Sequence, residues 1–324
     1  MLALLCGGQG RLSADMFDLS AGRPEAAAIF DKARVLLGGD PRHLVHRGDD
    51  DLLLADRTSQ LLSVTAVLAT HACIADILPE QLAVTGYSVG EMAAWSIAGV
   101  WTAETALQLT DGRARAMDAA GGTNGRLGDV RGLARNTLET LAARHGCAIA
   151  ITNPGNLFVV GGAEADIAAL CRDAMAAGAA HAELLEVKIA SHTARLEKAV
   201  APFSEALEAA KIAEPSGGRL LLAGGDGTRI FSAADGRARL AAQVATPINW
   251  AATLEALVES GVDRVLDLGP GQALANMVRS AFPTVASYAV EAFRSLEGVR
   301  SWVVGKPHWD HKPELENVQC NRRH

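Results

Sequence analysis

The residue best placed for covalent catalysis in this sequence is Ser88, in the pattern G-x-S-x-G. It lies between Gly86 and Gly90, directly after the apolar run 82–85. This spacing is typical of a sharp strand-to-helix turn, where small residues leave the serine hydroxyl exposed at the apex. A helix beginning there would direct the N–H of Val89 at an oxyanion, because the first N–H groups of a helix have no partner within it. The pattern predicts a nucleophile, although the same glycine spacing also occurs in ordinary tight turns.

A glycine-rich stretch, Gly7-Gly8-Gln9-Gly10, follows the first predicted strand, 2–6. It lacks the lysine and the spacing of a phosphate-binding loop. Its backbone N–H groups become the second half of an oxyanion hole if the loop lies beside Ser88. His192 is a candidate base for the serine, but a lone histidine at the end of a strand is more often structural.

These residues belong to a chain that reads as an α/β protein. Strands that alternate with helices predict a parallel sheet covered on both faces, as in an α/β-hydrolase-like core. Within 126–189 the order of elements is βαββαβ, the ferredoxin-like arrangement, with a hairpin turn at 153–156. We therefore predict a discontinuous core, 1–125 and 190–305, with a ferredoxin-like insert at 126–189 and a loosely ordered tail at 306–324.

Composition excludes several classes of function. The 324 residues are 49% hydrophobic, which is enough for a large core, and the net charge of -7 with few aromatics argues against nucleic-acid binding. The longest apolar run, 61–78, contains too many polar residues for a membrane span and predicts a buried helix. No secretory leader is recognisable at the N-terminus, so we expect a cytoplasmic protein.

The cysteines and histidines give no metal or disulfide pattern. The five cysteines are widely spaced and odd in number, so we expect reduced thiols. The tail contains His308, His311, Cys320 and His324, but their spacing matches no ligand pattern. We expect no bound metal.

Six motifs occur in the order of one protein family. They are Gly8-Gln9-Gly10, the stretch 86–91, Arg113, Ser191-His192, Asn249 and Gly269-Pro270-Gly271. With these motifs the chain resembles malonyl-CoA–acyl carrier protein transacylases, over roughly residues 1–300. Within that family Tyr87-Ser88-Val89 and the segment 293–302 are similar to the epsilon subunit of malonate decarboxylase. The first loop departs from the family's P-G-Q-G-S-Q, because Gly7 replaces the proline and Leu12 the second glutamine.

The resemblance implies a role for each matching residue. Ser88 would attack the thioester carbonyl of malonyl-CoA, and His192 would take the proton and return it to the leaving thiol. Backbone N–H groups of Gln9 and Val89 would hold the oxyanion. Asn249 occupies the place of the residue that orients the histidine, through its amide or its carbonyl, but it could also simply cap the following helix.

The resemblance also implies a substrate and a partner. Arg113 would bind the free malonyl carboxylate and so select malonyl over acetyl. The acceptor would be the small acyl carrier protein of a malonate decarboxylase, which supplies a CoA-like arm, so no permanently bound cofactor is expected. Since carrier proteins are commonly acidic, we expect docking on basic residues near the mouth of the site. The candidates are Arg131, Lys188, Arg195 and Lys198.

Alternative functions remain open at this stage. A malonyl transacylase of fatty-acid or polyketide synthesis would share the same chemistry. A serine esterase or thioesterase would share the Ser88 turn but hydrolyse its substrate, and a noncatalytic scaffold would keep only the fold. The stretch 224–228, Gly-Gly-Asp-Gly-Thr, is also similar to the phosphate loop of lipid and NAD kinases.

Overall fold

The computed structural model describes residues 1–10 and 12–305. The predicted tail 306–324, with its histidines and Cys320, lies outside the described residues. The β-strands are β1 (Leu2–Cys6), β2 (Leu82–Gly86), β3 (Gly125–Arg131), β4 (Ala148–Asn153), β5 (Leu157–Ala163), β6 (His181–Leu184), β7 (Arg219–Leu221), β8 (Ile248–Asn249), β9 (Arg264–Asp267) and β10 (Ala286–Ala289).

The α-helices pack against two five-stranded sheets. They are α1 (Ala27–Leu37), α2 (Pro41–Arg47), α3 (Asp50–Leu53), α4 (Asp56–Ala72), α5 (Gly90–Ile97), α6 (Ala103–Gly121), α7 (Arg135–Arg144), α8 (Glu164–Ala176), α9 (Glu197–Ala209), α10 (Ala233–Ala242), α11 (Trp250–Glu259), α12 (Ala273–Ala281) and α13 (Leu296–Val304). Short 3-10 turns lie at Pro24–Ala26, Ala75–Ile77, Ala194–Leu196 and Val290–Ala292.

The predicted parallel sheet is confirmed. Its strand order is β10-β9-β1-β2-β7, and every neighbouring pair is parallel. Its central strands β1 and β2 are buried along their whole length, which explains their unbroken apolar sequences. The register pairs Cys6 with Gly86 and Leu5 with Asp267. Because parallel strands end at the same edge, the loops after β1, β2 and β9 lie side by side there.

The second sheet contains the predicted βαββαβ unit. Its order, β6-β3-β5-β4, is antiparallel throughout and matches a ferredoxin-like arrangement. Helices α7 and α8 bury one face of it in a separate apolar cluster. The sequence did not predict that β8, which comes from beyond the insert, pairs in parallel with β4 through Ile151–Ile248 and Thr152–Asn249. A strand from the core segment of the chain thus forms one edge of the second sheet.

Two predicted elements are shorter than expected. The last strand of the insert ends at Leu184, before the predicted end of the insert at residue 189. After one further bond, from Leu185 N–H to the carbonyl of Leu127, the chain leaves the sheet toward His192. The buried helix predicted at 61–78 instead begins at Asp56 and ends at Ala72. In the part of the chain that the structure describes, no helix is both long and apolar enough to cross a membrane. The cysteines at 6, 73, 147 and 171 are free thiols.

Candidate active site

The turn at Ser88 has the geometry of a nucleophile elbow. Ser88 has φ of +53°, a left-handed conformation that costs a residue with a side chain about 1–3 kcal/mol. Helix α5 begins two residues later, at Gly90. A Cβ on Gly90 would collide with the carbonyl of Cys6, so only glycine lets the turn approach the end of β1 this closely. The neighbouring strands therefore hold the strained serine in place.

Ser88 and His192 form a buried catalytic-type dyad. The Oγ of Ser88 lies 2.7 Å from Nε2 of His192, and Nδ1 of His192 lies 2.6 Å from the carbonyl oxygen of Gln243. A carbonyl can only accept, so Nδ1 carries the proton and Nε2 is free to accept from the serine hydroxyl. Burial and the nearby Arg113 cation lower the pKa of His192 to about 3, so the ring is neutral and ready to act as a base.

Asn249 does not orient the histidine, and that interpretation of the sequence was wrong. Its side chain accepts from the N–H of Ala252 at 3.2 Å, which makes it the N-cap of α11. Its backbone N–H donates to the carbonyl of Gly225, and its backbone forms part of the exposed end of β8. The carbonyl of Gln243, six positions earlier, binds Nδ1 of His192 in place of Asn249. The simpler role as a helix cap was the correct alternative.

Arg113 lies beside the nucleophile and is almost completely buried. Its exposed fraction is 1%, and Nη2 lies 3.4 Å from Ser88 Oγ. Its other terminal nitrogen, Nη1, donates to the amide oxygen of Gln60 at 2.5 Å. Burial lowers its pKa to about 10, so it stays cationic at neutral pH. Among the described residues no carboxylate forms a salt bridge with this cation, which leaves it able to bind an anionic substrate group.

A buried carboxylate organises the other side of the site. Asp56 accepts from Nε2 of Gln9 at 2.9 Å and from Nε2 of Gln60 at 2.7 Å. Burial raises its pKa, and the two amide donors and Arg113 oppose that shift. Through Gln60 this group fixes Arg113, and through Gln9 it fixes the first glycine loop. Gln60 was not singled out in the sequence, because an amide has no charge and no motif marks it.

The first loop approaches the elbow closely enough to share an oxyanion site. A Cβ on Gly8 would collide with the carbonyl of Tyr87. In the described part of the chain, neither the N–H of Gln9 nor that of Val89 donates to a backbone carbonyl. Gly7 donates its N–H to the carbonyl of Gly269 at 3.0 Å, a bond that the family's proline could not make. Gly7, where the family has a proline, thus gives the first loop a hydrogen bond to the loop after β9.

The loop after β9 holds the first loop in place through the hydrogen bond between Gly7 and Gly269. Its three residues Gly269-Pro270-Gly271 follow Asp267, which is buried and accepts from the N–H groups of Gly269 and Ala275, each at 3.0 Å. Burial raises the pKa of Asp267 to about 7. The turn holds the first loop rather than presenting a reactive group.

The four basic residues predicted for carrier docking are exposed. Arg131 ends β3, and Lys198 lies in α9 beside a groove of about 400 Å³ next to α6. Lys188 binds Asp51 at 3.0 Å, and Arg195 donates to Asn124 at 2.8 Å. They lie on the segments that lead into and out of His192 or on the insert.

The glycine stretch 224–228 is not a free phosphate loop. The N–H of Gly224 already donates to the carboxylate of Glu91 at 3.0 Å. Asp226 accepts from Thr228 N–H and binds Arg239 at 2.9 Å, so an acidic group occupies the loop. The kinase interpretation loses its support.

One group of possible metal ligands occurs among residues 1–10 and 12–305. It comprises Asp129, His181 and Glu183 on β3 and β6, with ligand atoms within 4.8 Å of one another. His181 lies 3.3 Å from Glu183 and 3.5 Å from Asp129, as in an ion pair at a sheet edge. The group is on the insert and has no contact with the dyad.

Known proteins share this fold and sequence over nearly the whole chain. No protein-family model matches. The chain is 28% identical to the malonyl CoA-acyl carrier protein transacylase of Haemophilus influenzae, covering 93% of this chain and 99% of that protein. It is likewise 28% identical to the human mitochondrial enzyme of that name, covering 91% of this chain and 81% of that protein.

Solved structures agree with these relatives. An acyl-carrier-protein S-malonyltransferase from Burkholderia pseudomallei superimposes with a TM-score of 0.84 at 25% identity, over 93% of this chain and 99% of that one. A malonyl-transacylase in complex with its type II polyketide acyl carrier protein gives the same four values. The resemblance to malonyl-CoA–acyl carrier protein transacylases is therefore confirmed in both sequence and fold, over more than nine-tenths of the chain.

Proposed function

We propose that the protein transfers malonyl from malonyl-CoA to the prosthetic thiol of an acyl carrier protein, through an ester on Ser88. The observation that carries the proposal is the buried Arg113 cation, 3.4 Å from the hydroxyl of Ser88 and bound to an amide rather than to a carboxylate. A buried cation without a salt bridge is costly, and the free carboxylate of a malonyl group would supply the missing partner.

The proposed reaction has two symmetric halves. Ser88 Oγ attacks the thioester carbonyl while its proton passes to Nε2 of His192. The N–H groups of Gln9 and Val89 stabilise the negative oxygen of the tetrahedral intermediate. When the intermediate collapses, the C–S bond breaks and His192 returns the proton to the leaving CoA sulfur. The carrier thiol then attacks the malonyl ester by the same route, and Ser88 is regenerated.

Hydrolysis is the less favoured outcome of the same site. The Arg113 cation favours a dicarboxylic acyl group over the neutral acyl groups of ordinary esterases, and Nδ1 of His192 binds a backbone carbonyl rather than the carboxylate of a hydrolase triad. The acceptor thiol would arrive on a CoA-like arm, so the protein needs no bound cofactor of its own.

The proposed acceptor is the acyl carrier protein of a malonate decarboxylase. The support is Tyr87-Ser88-Val89 and the segment 293–302. Tyr87 packs edge-on against Trp250, with ring centroids 5.1 Å apart, and so joins the elbow to α11. The segment 293–302 includes most of α13, where Arg300 binds Asp76 at 2.6 Å, so its contacts are structural.

A second candidate acceptor is the carrier of fatty-acid or polyketide synthesis. It is favoured by the names of the relatives, one of which was solved with a polyketide carrier protein. Transfer rates to the two kinds of carrier, at matched concentrations and several salt concentrations, separate the candidates. Preference for the fatty-acid or polyketide carrier would remove the decarboxylase assignment and keep the malonyl transfer.

Intact-protein mass spectrometry tests the proposed chemistry itself. After mixing with malonyl-CoA, the wild type should carry one malonyl adduct, and Ser88→Ala should carry none. A wild-type protein that stays unmodified, with its fold verified by circular dichroism, would refute the proposal. Release of free malonate faster than transfer to any carrier would favour a thioesterase instead.

A further inference from the structure

Glu91 is a buried carboxylate for which the reaction described above has no use. It lies in the first turn of α5, three residues after Ser88, and only 2% of it is exposed. Its Oε2 accepts from Nε2 of Gln243 at 2.5 Å and from the N–H of Gly224 at 3.0 Å, and its Oε1 accepts from Trp95 Nε1 at 3.3 Å. One carboxylate thus receives three donors from three parts of the chain.

Gln243 is the residue whose backbone carbonyl binds Nδ1 of His192. It lies at the C-cap of α10, where carbonyl groups have no partner within the helix and are free to accept from outside. His192 also donates its backbone N–H to the next carbonyl, that of Val244, at 2.9 Å. The position of the histidine ring therefore depends on where this helix end lies.

Hydrogen bonding to Glu91 contributes to holding the Gln243 side chain in place. A cavity of about 200 Å³, lined also by Arg239 and Pro247, lies against Gln243 and Glu91, so packing around the pair is incomplete on that side. The Oε1 of Gln243 is buried without a hydrogen-bond partner among the described residues. The hydrogen bond from its amide nitrogen to Glu91 thus keeps the side chain turned inward.

We infer that Glu91 is a positioning residue for the catalytic dyad, acting through Gln243. Its backbone is part of the helix that begins at the nucleophile, and its N–H donates to the carbonyl of Ser88 at 3.1 Å. Its carboxylate holds the residue that orients the base. One residue therefore links the serine, through its backbone, and the histidine, through its side chain. The inference rests on the proposed Ser88–His192 chemistry but not on malonyl as the acyl group.

The test measures Ser88 reactivity without the proposed substrate. A fluorophosphonate labels a serine that has an active base, and its rate is read by mass spectrometry. Glu91→Leu removes the acceptor and should lower the labelling rate by about 10- to 100-fold, in line with loss of much of the general-base contribution. Gln243→Met keeps the carbonyl, loses the amide and should lower the rate similarly. Glu91→Gln retains one acceptor oxygen, so its labelling rate should be closer to that of the wild type.

A double-mutant comparison separates positioning from a general structural role. If Glu91 acts through the histidine, Glu91→Leu should have no further effect in a His192→Ala background. Trp95→Phe removes the bond to Oε1 and part of a buried ring but leaves the bond between Glu91 and Gln243, so it serves as the control, with a labelling rate expected within about twofold of wild type. Thermal melting identifies variants that do not fold, and Gln243→Met carries the test if Glu91→Leu is one of them.

Two results would overturn the inference. One is a folded Gln243→Met or Glu91→Leu protein that labels at the wild-type rate. The other is an equal loss from Glu91→Leu with and without His192. With malonyl-CoA as donor, the expected loss is in kcat, with KM nearly unchanged. A wild type that reacts with the phosphonate but not with malonyl-CoA would refute the proposed function and leave the role of Glu91 intact.

Discussion

The Nδ1 atom of His192 lies 2.6 Å from the carbonyl oxygen of Gln243, a residue 51 positions further along the chain. This bond sets the tautomer of the histidine and turns Nε2 toward Ser88. A backbone carbonyl thus replaces the carboxylate of a catalytic triad. Any residue at position 243 would supply the same backbone carbonyl. The side chain of Gln243 therefore matters only through its hydrogen bond to Glu91.

Asn249→Ala should destabilise the protein without slowing the acylation of Ser88. The side chain caps α11, and loss of such a cap costs roughly 1 kcal/mol of the free energy of unfolding. Urea unfolding and the rate of malonyl-adduct formation measure the two effects. A loss of rate larger than tenfold in a stable variant would return Asn249 to the catalytic machinery.

His192→Ala should slow the acylation of Ser88 by a factor of about a hundred to ten thousand, because Nε2 of His192 is the base hydrogen-bonded to the hydroxyl. Rapid-quench measurement of the malonyl adduct gives the rate. The control is His145→Ala, which removes a histidine bound to Asp173 on the insert. Equal rates in the two variants would mean that His192 is not the base.

Arg113→Ala should reduce the reaction with malonyl-CoA far more than that with acetyl-CoA. Only malonyl presents a carboxylate to the buried cation, and removing one partner of such a pair costs about 2–5 kcal/mol. The specificity constants kcat/KM for the two thioesters give the selectivity. Arg115→Ala, in the same helix but exposed and bound to Asp111, is the control. Equal losses for both thioesters would assign Arg113 to the support of the fold.

Asp267 should make the protein less stable as the pH rises from about 4 to about 7. Burial raises the pKa of this carboxyl to about 7 in the folded state, whereas in the unfolded chain it ionises near 3.8. Its contribution is therefore fully present below the lower value and is lost as the pH rises through the higher one. The free energy of unfolding of the wild type, relative to Asp267→Asn, should fall by about 1.4 kcal/mol per pH unit in that window.

The measurement is chemical unfolding of both proteins at several pH values between 4 and 8. Taking the difference removes the contribution of His192, which acts in the opposite direction because burial lowers its pKa. A difference that does not change with pH would show that Asp267 ionises normally in the folded protein.

Local patterns in the sequence were enough to place Ser88 at a sharp turn and to predict the elements around it. The strand β2, the turn at Ser88 and the start of α5 lie where the glycine spacing and the apolar run predicted them. The βαββαβ order also predicted the ferredoxin-like sheet, because each strand and turn has its own local signal. Family resemblance then added Arg113 and His192, which no local pattern distinguishes from structural residues.

Only the tertiary structure decided what holds those residues in position. Gln243, Gln60 and Glu91 contact His192, Arg113 or each other across gaps of more than fifty positions. A hydrogen bond from an amide, or to a backbone carbonyl, depends on the approach of distant segments and leaves no pattern along the chain. For the same reason Asn249 was assigned to the histidine, although the fold turns it toward its own helix. The side chains proposed to do the chemistry lie in sequence motifs, whereas the groups that hold them in position can be identified only from the packing of the folded chain.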